Sequence, residues 1–296
     1  MHDIEARVVA FLDAANAGEA DMPDEVIVKA GRAFRKALQK QFNAAPRRKD
    51  FRMSIGSVGK PTCQLQAEKL GWEKETPQYS DKLRNTIGDV TEIVLMAVLE
   101  AAGVEFEEVQ GRVSLPVSDD TTLNGYHDVK INGEIWDIKS ASPWAFANKF
   151  DRGFEALQKE DAFGYIEQGF GYAEADNARF AGWLVVNKST GEICVTEVPE
   201  YQYQELHDAS IQRIKGTVAT LDSDAPFERC FEDQPETFRK KSTGNRVLGT
   251  TCGFCQFKQT CWPGLQYLPD QMSKAASPTW KYYTHVEPKE EESAEE

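Results

Sequence analysis

Gly125-Tyr-His-Asp-Val-Lys-Ile-Asn-Gly-Glu-Ile-Trp-Asp-Ile-Lys139 is the stretch that decides the fold. Asn132-Gly133 sits between two β-rich runs, and a type I′ turn needs positive φ at both central positions, which these residues tolerate best. The turn predicts a hairpin pairing Ile131 with Glu134 and Val129 with Trp136, and so sets Asp128 against Asp137. With a period of two, Val129, Ile131, Trp136 and Ile138 take one face; Asp128, Lys130, Ile135, Asp137 and Lys139 take the other. Opposed carboxylates repel unless something offsets the charge. A divalent cation is the natural offset, and Lys139 would then point at whatever the cation holds.

Outward from the hairpin, helices are expected over 3–17, 24–43, 63–72 and 88–102, the last ended by Gly103. A strand near 105–117 precedes the hairpin, a loop over 140–152 follows it, and a helix then covers about 154–175. Two more strands, 180–187 and 193–198, are followed by a helix over about 200–219, and 221–250 reads as polar and irregular. The pattern is α/β (α+β), a central mixed β-sheet flanked by helices. It divides into a helical N-terminal section (1–84, with Cys63), a core (85–220), a cysteine-bearing segment (221–270) and an acidic, disordered tail (271–296).

At 296 residues and 41% hydrophobic, the chain can bury one large core or two small ones. No apolar run is long enough for a membrane span, and the N-terminal residues lack a signal-peptide layout, so a cytoplasmic location is expected. The net charge of −14 argues at first against an anionic partner. Its distribution argues the other way. Residues 29–60 hold ten Lys or Arg (Lys29, Arg32, Arg35, Lys36, Lys40, Arg47, Arg48, Lys49, Arg52, Lys60) against one acid, Asp50. Residues 238–264 hold Arg239, Lys240, Lys241, Arg246 and Lys258 with no acid. Local basic stripes decide phosphate binding, though a solvated helix face explains part of the first; the expected DNA contacts are Arg47, Arg48, Lys49, Arg52, Lys60, Arg239, Lys240, Lys241, Arg246 and Lys258.

Glu92 lies in the apolar 88–102 helix on the side of Leu95, Met96 and Leu99, where a carboxylate is expensive unless paired or metal-bound. Gln168 and Tyr172 are four apart in Gln168-Gly-Phe-Gly-Tyr172, and the glycines between them suggest close approach by another backbone or a ligand. Gly88-x-x-x-Glu92, Gly125-x-x-Asp128, Asp137-Ile-Lys139 and Gln168-x-x-x-Tyr172 together resemble, over about 85–200, the RecB-like branch of the PD-(D/E)XK nuclease superfamily. The resemblance implies a restriction-endonuclease-like core and a metal-dependent DNA exonuclease of recombination, repair or phage DNA metabolism. Glu92, Asp128 and Asp137, with the backbone carbonyl of Ile138, would hold Mg²⁺ or Mn²⁺. Lys139 would position or deprotonate water, and Gln168 and Tyr172 would orient the site on DNA with a free end. Many cluster-bearing relatives have His where this chain has Glu92.

Cys252-Gly-Phe-Cys255-Gln-Phe-Lys-Gln-Thr-Cys261 is C-x₂-C-x₅-C, and three thiolates need a fourth, for which Cys63 is the candidate. Zinc and an iron–sulfur cluster both suit four thiolates. One upstream Cys with a downstream C-x₂-C-x₅-C resembles the AddB-type and CRISPR-associated RecB-like nucleases, which implies a [4Fe–4S] staple. Cys194 reads as an inert buried thiol, and Cys230 has no assigned role. Two other functions compete: a non-enzymatic DNA-binding module with a structural cluster or zinc, and a restriction-type endonuclease. A phosphate loop is excluded at Gly56–Lys60, because Ser54 stands at the first glycine and Pro61 at the magnesium-binding hydroxyl.

Overall fold

The computed structural model describes residues 1–43, 51–223 and 225–288. In chain order the elements are α1 (Asp3–Asn16), α2 (Asp24–Phe42), α3 (Thr62–Lys69), α4 (Tyr79–Ala101), β1 (Glu108–Pro116), β2 (Thr122–Ile131), β3 (Glu134–Ala141) and α5 (Pro143–Ala145). Next come α6 (Phe154–Lys159), α7 (Tyr165–Asp176), β4 (Arg179–Asn187), β5 (Ile193–Glu197) and α8 (Tyr203–Asp222). The chain finishes with β6 (Gln234–Phe238), β7 (Lys241–Val247), α9 (Thr250–Gly253), α10 (Lys258–Cys261), β8 (Gln266–Pro269) and β9 (Trp280–His285). They form two units, Met1–Lys60 with Pro77–Asp222, and Pro61–Thr76 with Ser223–Glu296.

The first unit is a mixed five-stranded sheet in sequence order, β1 to β5. Pairing is antiparallel except between β3 and β4, a parallel pair that needs a crossover, here carried by α6 and α7. Asn132 and Gly133 have φ of 52° and 78°, so the hairpin has the expected I′ turn and pairs Val129 with Trp136. Both faces of the sheet are covered. Val129, Ile131, Trp136 and Ile138 pack with Ile4 and Val8 of α1 and Leu95 and Leu99 of α4. Ile135, Phe180 and Trp183 pack with Phe170 of α7 and Ile211 and Ile214 of α8.

The helix expected over 154–175 is split. Gly164 takes φ 68°, and a Cβ there would stand 2.0 Å from the backbone oxygen of Gly59, so two bare backbones cross where a helix would have run on. Residues 140–152, read as a loop, contain α5 and a π-type turn over Phe146–Phe150.

The second unit is an antiparallel sheet in the order β6-β7-β9-β8. Two expected boundaries move. Residues 61–76 join the C-terminal segment, through Trp72 against Phe227 with ring centres 4.4 Å apart and Glu75 N–H on the Gln256 carbonyl at 2.9 Å. The supposed tail contains β9, whose Trp280-Lys-Tyr-Tyr-Thr-His is rich in β-forming residues and buries Tyr283. The polar stretch 221–250 likewise carries β6 and β7, with a buried Glu236 satisfied by Asn245, Lys281 and Tyr283. No helix among the described residues is long and apolar enough to cross a membrane.

Candidate active site

The hairpin ladder stops at Val129–Trp136, one step short of the expected Asp128–Asp137 pair. Beyond it β3 runs beside β4, and Asp128 Oδ2 accepts the Ile138 N–H at 2.8 Å. The two carboxylates therefore form a fork between strands, Asp128 bonded to the β3 backbone and Asp137 turned to Lys139. Asp137 is buried; its Oδ1 accepts from Lys139 Nζ at 2.8 Å. Oδ2 lies 2.6 Å from the same nitrogen but out of line, and has no hydrogen bond among the described residues. Lys139 also stands 5.1 Å over the Tyr165 ring.

Glu92, on α4, reaches the same fork. Gln110 Nε2 donates to Glu92 Oε1 at 2.6 Å and to Asp128 Oδ1 at 3.3 Å, a neutral donor wedged between two acids. Gln110 has φ 53°, a conformation that side chains rarely adopt and that concentrates at functional sites. Burial, then repulsion from Asp128, pushes the Glu92 carboxyl up to about 7. Burial also pushes Asp137 to about 7, against the pull of Lys139 and with repulsion from Asp128. Burial pulls the Lys139 ammonium down, but Asp137 and Asp128 outweigh it and hold its pKa above the ordinary lysine range.

Gln168 hydrogen-bonds the Tyr172 hydroxyl, and Tyr172 senses the charges of Asp137, Asp128 and Lys139. A Cβ at Gly125 would stand 2.8 Å from the Tyr172 ring, which explains the glycine in that motif. The structure thus joins Glu92 to Asp128 through Gln110 and Asp137 to Lys139, with Gln168 and Tyr172 within electrostatic reach. One oxygen each from Glu92, Asp128 and Asp137 do not come within 4.8 Å of one another, so no single-ion shell is preformed at the fork. Sequence reasoning missed Gln110 and Tyr165. Tyr165 opens α7, where Asp161 caps the Tyr165 and Ile166 N–H groups at 2.9 Å each.

A cavity of about 600 Å³ between α2, α4 and β1 contains Glu92 and Gln110 and is lined by Lys29, Arg32, Lys36 and Lys40. Lys29 pairs with Glu100 and Lys40 with Asp89. Of the expected DNA contacts, Arg47, Arg48 and Lys49 lie outside the described residues, and Arg52 and Lys60 belong to the first unit. Arg239, Lys240 and Lys241 stand exposed at and just after the β6–β7 turn. Arg246 pairs with the Asp233 side chain and carbonyl at 2.7 and 2.8 Å while its side chain stays partly exposed. Lys258 is a correction: it is buried against Glu75 and so spent on an internal pair.

Cys63, Cys252, Cys255 and Cys261 fall in the second unit together with Cys230, and all are free thiols. Cys63 N–H donates to Cys230 Sγ at 3.1 Å. Hydrogen bonds from the Cys63 side chain and backbone hold Cys230 down at about 6, against burial. Burial, then repulsion from Cys255, Cys261 and Cys230, raises Cys252 to about 11. The sulfurs lie within electrostatic reach of one another, yet among the described residues no three converge within 4.8 Å, so no single-ion shell is preformed. Cys194 is buried, and burial pushes its thiol up to about 12, in keeping with an inert role.

No family model and no curated protein matches the chain. Among solved structures, the crystal structure of SSO0001 is similar, with 13% identity and a TM-score of 0.41 over 78% of this chain and 95% of that one.

Proposed function

We propose that this chain is a metal-dependent DNA nuclease, with Mg²⁺ or Mn²⁺ held by Glu92, Asp128 and Asp137 and helped by the Ile138 carbonyl. One observation carries the reading: the Gln110 amide bridges Glu92 and Asp128, and the neighbouring buried Asp137 faces the Lys139 ammonium, so a cation drawing the three acids together would displace that amide. Such a cluster is costly in an inert protein. Its donor set is the all-oxygen kind that hard cations take. When bound, the cation polarises the phosphate and lowers the pKa of water.

The chain's own residues do the rest. Lys139 stays an ammonium, which suits it to stabilise charge growing on the phosphate and unsuits it as a base. The Tyr165 ring steadies that ammonium by a cation–π contact. Gln168 and Tyr172, linked to each other, orient the strand. Arg32 and Lys36, which have no acidic partner among the described residues, offer the backbone a path along the cavity beside Glu92. Preference for free ends and a [4Fe–4S] cluster on Cys63, Cys252, Cys255 and Cys261 rest on the resemblance and belong to the same proposal. Zinc is the alternative occupant, and Cys230 is a further thiolate at hand.

Degradation of linear and closed circular DNA with Mn²⁺ tests this. The parent is expected to degrade the linear form, and Asp137→Ala to lose about 10²-fold or more. Full activity in that variant removes the site. Equal attack on circles removes the end preference.

A further inference from the structure

His127 is fully buried, and among the described residues neither ring nitrogen has a hydrogen-bond partner. A buried imidazole left so is costly. Its Nε2 stands 3.5 Å from Glu108 Oε2, and one donor atom each from Glu108, His127 and Asp176 lies within 4.8 Å of the other two. Glu108 opens β1, His127 is on β2, and Asp176 ends α7. Gly111 permits the approach: a Cβ there would stand 2.2 Å from His127 Nε2 and 2.6 Å from the Glu108 carboxyl carbon.

We propose that Glu108, His127 and Asp176 form a second metal site, separate from the acidic fork, which takes a zinc-class transition ion. One imidazole nitrogen with two carboxylates suits Zn²⁺ and its neighbours better than Mg²⁺ or Ca²⁺, which prefer all-oxygen shells. Without the ion, Lys130 Nζ balances Asp176 at 2.7 Å. Lys130 is a quarter exposed, so its ammonium can swing out as the cation arrives. A bound ion would tie the end of α7 to β1 and β2. The site stands independently of the nuclease reading.

Equilibrium dialysis of the full chain against Zn²⁺, with bound metal counted by mass spectrometry, tests it. Glu108→Gln, on the exposed rim, and His127→Gln are each expected to lose one zinc equivalent, or to weaken it by more than about tenfold. The same loss should appear when Glu108→Gln is added to Asp137→Asn, which separates this site from the fork; zinc on the cysteines is common to every variant. Lys130→Met should bind that equivalent several-fold more tightly, which a merely structural His127 would not produce. If His127→Gln does not fold, Glu108→Gln alone decides. A zinc count unchanged in Glu108→Gln at concentrations that saturate the parent overturns the proposal, as does weaker binding in Lys130→Met.

Discussion

At the residue scale, the acids of the fork carry charge they do not want. An exposed carboxylate loses its proton near pH 4, whereas Glu92 and Asp137 hold theirs to about 7. Between those limits the folded chain binds more protons than the unfolded one, so these groups make the metal-free protein less stable as pH rises from about 4 to 7. A cation competes with those protons. Stabilisation by Mn²⁺ should therefore be small at pH 5.5 and large at pH 8, as read from the Tm difference with and without metal; equal shifts at both would count against the fork as the binding place. Glu92→Gln removes one of the repelling charges while keeping an oxygen for Gln110. It should raise the metal-free Tm at pH 8 by about 2–4 °C, roughly 1 kcal/mol, and lose most of the Mn²⁺ effect. Asp128, Asp137 and Lys139 were singled out by residue type and strand period, and Glu92 by helical spacing, all of which are local information. Gln110 was not, because its role depends on a positive φ and on two acids that tertiary structure delivers.

At the element scale, the hairpin was readable from two residues and the α6–α7 break was not. Asn132-Gly133 selects its turn by its own backbone preference. Gly164 looks like any helix glycine until Gly59, more than a hundred positions earlier, is laid across it. Gly164→Ala adds both a positive-φ penalty and a backbone collision, and should cost more than about 3 kcal/mol in denaturant unfolding. Gly133→Ala meets nothing within 4 Å and pays only the conformational part, about 1 kcal/mol. Similar losses for the two would mean the crossing is not tight. The glycines of α7, expected to admit another backbone or a ligand, admit side chains instead: a Cβ at Gly169 would stand 2.2 Å from the Phe180 ring.

At the scale of the whole molecule, a mixed sheet flanked by helices followed from periodicity, while its strand order and the division into units did not. Composition marked 271–296 as a tail because its acids outweigh the aromatic run 280–283, yet that run supplies β9. Cys63 falls in the same unit as Cys230 and the C-terminal trio, but among the described residues no three of these sulfurs converge within 4.8 Å. Anaerobically purified protein should show a broad visible absorption band, and removing the iron should lower the melting temperature of the second unit while leaving the first little changed. A colourless sample containing zinc would favour the alternative occupant, and one without metal would leave the thiols unligated.

The second unit is assembled from segments on either side of residues 77–222, and this orders events on the ribosome. The first unit is complete once residue 222 has emerged, but the second, which includes α3, is complete only with the end of β9, 63 residues later. At common translation speeds that delay is roughly 3–13 s. Cys230, Cys252, Cys255 and Cys261 all emerge within it, so any inorganic centre shared with Cys63 would be inserted late, into a chain whose first unit is already complete.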